Sequence, residues 1–138
     1  MPSKINIVIA VDAIGALSDQ RLENNLFMMN DGPYEREGAG GSALVTSCAP
    51  GQLIKWTIYP IDLQSPASIK SIRFLDSCQL PDGATGPQPE NVDAKVWAGY
   101  VPTNLIPGKE YRYRLEILMN PGILGVLSVD TPSLKPIG

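Results

Sequence analysis

The chain has 138 residues, enough for one domain that buries a hydrophobic core without metals or disulfides to staple it. Eleven basic and fourteen acidic side chains give a formal net charge of −3, and no stretch gathers Lys or Arg into the footprint that DNA or RNA would need. Histidine is absent, so triad hydrolysis and ordinary zinc chemistry lack the residue on which they most often rest.

Ile5 to Val11 is too short for a secretory signal and runs straight into Asp12, so it reads as the first strand. Ala13 to Asn25 fits either a helical turn or a loop. Further short runs rich in β-branched or aromatic residues predict strands at Leu26 to Asn30, Ser42 to Ser47, Leu53 to Tyr59, Ile69 to Phe74, Lys95 to Val101, Glu110 to Met119 and Ile123 to Val129. No apolar run approaches the roughly 20 residues that cross a bilayer, and a soluble, cytoplasmic protein is expected.

Two of these runs alternate clearly. Tyr111, Tyr113, Leu115, Ile117 and Met119 share one face opposite Arg112, Arg114 and Glu116, and Ile54, Trp56 and Ile58 share another. The period of two sends both apolar sets inward. Pro50-Gly51 and Pro107-Gly108 each combine a residue fixed near φ −65° with one that tolerates positive φ, as type II turns require. The thirteen glycines and thirteen prolines act as punctuation between short strands. The long Ser77 to Asp93 and Asn30 to Gly41 segments read as loops.

Leu105, Pro107, Gly108 and Tyr111 resemble the Leu-x-Pro-Gly-x-x-Tyr segment that leads into the penultimate strand of fibronectin type III and related Ig-like sandwiches, where the Tyr hydroxyl caps the turn. The expected fold is therefore all-β: a single-domain antiparallel Ig-like sandwich of about seven to nine strands over residues 1–138.

The chemistry-bearing candidates are sparse. Cys48 and Cys78 read as half-buried thiols in a reducing compartment, with a disulfide as the alternative. Asn30-Asp31-Gly32 lies near a strand end, as do Asp12, Asp62, Asp76, Asp93 and Asp130, so Asp31 and Asp130 are candidate ligands for Ca²⁺, which needs six to eight oxygens. Sugar binding needs an aromatic platform beside fixed polar groups, which makes Trp97 and Tyr100, with Asn30 and Asp31, the candidate ligand residues. Core packing and ordinary turn chemistry explain the same residues. The carboxylate pairs Glu35/Glu37 and Asp76/Asp82 read as solvated surface. Gly38 to Gly41 lacks the Gly-Lys-Ser/Thr ending of a phosphate loop.

In sequence order Val11-Asp12, the Gly-rich Gly38 to Gly41, Pro50-Gly51 with Ile54-Lys55-Trp56, Leu105-Ile106-Pro107-Gly108 with Tyr111-Arg112-Tyr113, and Asp130-Thr131-Pro132 resemble the AidA/PixA family of bacterial inclusion-body proteins. Val126 to Val129 stand where that family tends to carry aromatics. The resemblance implies an abundant, stationary-phase or quorum-regulated product without enzymatic activity, and for some members sugar binding. Two readings follow. One is a non-enzymatic, lectin-like carbohydrate-binding module assisted by calcium. The other is a self-assembling, homo-oligomeric inclusion or interaction protein.

Overall fold

A computed structural model of the chain describes residues 4–32, 40–41, 43–61, 67–74, 90–93, 96–101, 106–119, 126–130 and 132–137. Among them run β1 (Ile5–Val11), helix α1 (Ala13–Asp19), β2 (Leu26–Asn30), β3 (Val45–Cys48), β4 (Leu53–Pro60), β5 (Ala67–Phe74), β6 (Glu90–Asp93), β7 (Val96–Tyr100), β8 (Tyr111–Met119), β9 (Val126–Val129) and β10 (Ser133–Pro136). Glu35, Glu37, Asp62, Asp76, Cys78 and Asp82 lie outside the described residues.

The expected all-β sandwich is present. The first sheet has the order β2-β1-β4-β7-β6, and the second has β3-β10-β8-β5 with β9 paired to β8. The sheets are mixed, which corrects the expectation of a purely antiparallel sandwich: β1 pairs parallel with β4, and β3 parallel with β10. The cause is the path of the chain. After β2 it leaves the first sheet to place β3 in the second, then returns to lay β4 beside β1 in the same direction.

One core joins the two layers. Ile5, Ile7, Ile9, Leu26, Met28, Ile54, Trp56 and Ile58 from the first sheet meet Ile69, Ile72, Tyr111, Tyr113, Leu115, Ile117 and Leu134 from the second, all fully or nearly fully buried. Each such aliphatic side chain contributes about 1.5–3 kcal/mol on leaving water.

Both Pro-Gly turns form as their chemistry predicts. Ala49 C=O accepts from Gln52 N–H at 3.1 Å around Gly51 at φ 76°, and Ile106 C=O accepts from Lys109 N–H at 3.3 Å around Gly108 at φ 84°. Beside the second turn, Ile106 N–H donates to Tyr111 Oη at 3.0 Å, which is the expected tyrosine cap. The stretch after β1 resolves into a helix because Asp12 caps it, its side chain accepting from Gly15 N–H at 3.0 Å.

Candidate functional site

The first sheet's outward face is unusual for a solvated surface. With Ile7, Ile9, Met28, Trp56 and Ile58 turned inward, alternation turns Val8, Ala10, Phe27, Met29, Thr57 and Tyr59 outward. The registers align these into rows: Met29 opposite Val8 opposite Thr57, and Phe27 opposite Ala10 opposite Tyr59. Leu53 pairs with Tyr100 further along the sheet. Val8, Phe27, Met29, Tyr59 and Tyr100 are exposed, Met29 at 52% and Tyr100 at 65%. Among the outward positions of β1, β2, β4 and β7, Lys55 alone carries a charge.

The second sheet's outer face has the opposite character. Arg112, Arg114 and Glu116 of β8 point away from the core. Arg114 grips Asp130 with two hydrogen bonds, Nε to Oδ1 at 2.8 Å and Nη2 to Oδ2 at 3.1 Å. This grip holds the Asp130 carboxyl below, and the guanidinium above, their ordinary pKa values. Glu116 accepts from Ser71 Oγ and lies 3.6 Å from Arg73.

The residues suggested by the sequence fall in different places. Asn30 is buried between the layers; its Nδ2 donates to Thr46 Oγ1 of β3 at 3.2 Å and its Oδ1 accepts from Gly32 N–H at 3.0 Å. Asp31 is exposed, and its two carboxylate oxygens accept from Asn6 N–H at 2.7 Å and Asn6 Nδ2 at 2.8 Å. The side-chain bond from Asn6 is the main cause lowering its pKa. Trp97 turns toward the core and donates its indole N–H to Ile69 C=O at 3.0 Å. Tyr100 points the other way, onto the outward face of the first sheet.

The two candidate calcium ligands therefore serve different partners, Asp31 with Asn6 and Asp130 with Arg114. Among the described residues no group of three Cys, Asp or Glu side chains is placed to hold a metal ion. Cys48 is a free, buried thiol. No helix among the described residues is long and apolar enough to cross a membrane.

Sequence reasoning missed Val8, Phe27 and Met29 as surface residues, whereas the alternation of β4 already sets Tyr59 opposite the inward Trp56. A signal was available: β1 and β2 read Ile-Asn-Ile-Val-Ile-Ala-Val and Leu-Phe-Met-Met-Asn, nearly continuous apolar runs rather than alternating ones. Such runs are typical of strands covered on both faces.

The fold is similar to that of a solved inclusion body protein (PixA) from Burkholderia cenocepacia J2315, with a TM-score of 0.69 and 10% sequence identity over 99% of this chain and 95% of that one. No curated protein matches the sequence. The family model described as a domain of unknown function, DUF8788, matches residues 3–124, and the chain belongs to that family.

Proposed function

We propose that the protein is a non-enzymatic, self-associating protein of the inclusion-body kind, related to the AidA/PixA proteins and working in the cytoplasm. The observation that carries this reading is the contrast between the two sheets: one presents Val8, Phe27, Met29 and Tyr59 to solvent, while the other presents ion-paired Arg and Glu. Exposed apolar patches of this kind mark interaction surfaces on monomers. The similar fold of an inclusion body protein supports the same reading.

Carbohydrate binding with calcium would use Asn30, Asp31, Trp97 and Tyr100 together. Self-association has the stronger support because Asn30 and Trp97 turn inward while Tyr100 turns outward. Size-exclusion chromatography with multi-angle light scattering, over a hundredfold range of concentration, tests the proposal. Mass that rises with concentration supports it, and a strict monomer throughout rejects it. A glycan array run with and without EDTA checks the carbohydrate reading in parallel.

A further inference from the structure

The self-association reading leaves open which surface does the work. Three candidates are present: the open edge of β2, the outer face of the second sheet and the outward face of the first. The β2 edge is already engaged, since Gly40 N–H donates to Met28 C=O at 2.8 Å. The second sheet's face carries Arg73, Arg112, Arg114, Glu116 and Asp130, and burying it would desolvate charges that now pair in water.

The first sheet's face is less burdened: its Val8 and Ala10 rows carry no charge, and Asp31 and Lys55 share the end row of Asn6. Its strands have the apolar sequences of a sheet covered on both sides, yet one side stands open at Val8, Phe27 and Met29. Four strands spaced by about 4.8 Å, with about 3.3 Å per residue along seven-residue β1, give a footprint of about 19 by 23 Å. That footprint, about 440 Å², is roughly half of the about 800 Å² that each partner gives to a standard interface, which fits a weak, concentration-dependent contact.

We infer that this face, through Val8, Phe27, Met29, Thr57 and Tyr59, binds the same face of a second copy of the chain about a two-fold axis. The inference rests on the self-association reading. Like must meet like here: stacking the apolar face on the charged second sheet would strand Arg73, Arg112 and Glu116 without water, whereas on the first sheet's face the carboxylate of Asp31 sits in the end row with Asn6 and Lys55, clear of the Val8 and Ala10 rows. A self-complementary patch closes as a dimer. Lys55, half-buried at this face, has a stem long enough to carry its ammonium to the rim. Tyr59 and Tyr100 suit such a surface because each combines apolar area with a hydroxyl that can stay wet.

The experiment compares the wild-type chain with Met29→Lys, Phe27→Lys and, as a control on the exposed part of β9, Ser128→Lys. Light scattering reads the mass of each over the same concentration series, and circular dichroism confirms that each is folded. A wild-type dimer, kept by Ser128→Lys and weakened at least tenfold in both β2 variants, is the expected result. If the wild type associates and the folded β2 variants associate equally well, this face is rejected while the self-association reading stands. If the wild type stays monomeric throughout, both are rejected.

Discussion

Trp56 of β4 donates its indole N–H to the hydroxyl oxygen of Tyr113 on β8 at 3.1 Å, and the two rings meet edge to face with centroids 5.6 Å apart. The contact joins the two sheets at the middle of the core, where both side chains are almost wholly excluded from water. Tyr113→Phe keeps the ring and removes the acceptor, leaving a buried N–H unpaired. The expected loss is about 1–3 kcal/mol. Urea unfolding followed by circular dichroism should show a lower midpoint with an unchanged slope. An unchanged midpoint would mean that Trp56 finds another acceptor.

A second polar link between the layers is Asn30 with Thr46. Asn30→Asp keeps the acceptor for Gly32 N–H but loses the amide donor to Thr46 Oγ1 and places a carboxylate at a buried site. Desolvation then raises the folded-state pKa of the new carboxyl above its unfolded value. The stability that its neutral form retains is present below the unfolded pKa, near 4, and is lost as pH rises through the folded value. Relative to wild type, the variant should be destabilised by about 2–3 kcal/mol at pH 7 and by less at pH 4. Paired urea titrations at the two pH values measure this; a penalty independent of pH would count against a buried, charged Asp.

How much of this was legible follows from which residues carry strong local signals. Tyr111 to Met119 and Leu53 to Tyr59 could be placed because their large apolar residues alternate, and the turns at Gly51 and Gly108 because positive φ favours glycine. β6 was missed because Glu-Asn-Val-Asp has the composition of a loop and is a strand through its pairing with β7. β10 was missed because Ser-Leu-Lys-Pro is too short to show a period and ends in proline; it forms between β3 and β8. The parallel pairings are long-range, so no local pattern announces them. The outward face stayed hidden for another reason. Apolar residues on both sides of β1 and β2 reveal that both sides are greasy, and only the sheet order shows which side lacks a second layer.

Gly15 shows how tightly the start of α1 is built. A Cβ at this position would lie 2.8 Å from Asp12 Oδ2 and would collide with Asn25 Oδ1. Both acceptors belong to structural hydrogen bonds or their immediate surroundings: Asp12 caps the helix, and buried Asn25 donates to Asp19 Oδ2 at 2.9 Å. Gly15→Ala, which in an open helix would stabilise by up to about 1 kcal/mol, should here destabilise by about 1–3 kcal/mol. Thermal unfolding decides between the two signs. A higher Tm for the variant would show that Asp12 and Asn25 move aside at little cost.

The buried thiol and phenol make the fold sensitive to alkali. Burial pushes the Cys48 thiol from 9.0 up to about 12, and raises the Tyr113 phenol as well, the bond from Trp56 opposing that shift in part. In both cases the folded core holds the neutral form, so the folded pKa exceeds the unfolded one. The stability this represents is complete below the unfolded pKa and is lost as pH rises through the window from about 9 toward about 12 for Cys48. Each pH unit inside that window costs about 1.4 kcal/mol per group. Under reducing conditions the urea midpoint should stay level between about pH 6 and 8 and fall steadily above about pH 9. Cys48→Ala should lower stability at neutral pH by about 1 kcal/mol through the space it leaves, while delaying the alkaline decline until tyrosine ionisation begins near pH 10. A wild-type midpoint that holds level to pH 11 would show that Cys48 and Tyr113 ionise without unfolding the sandwich.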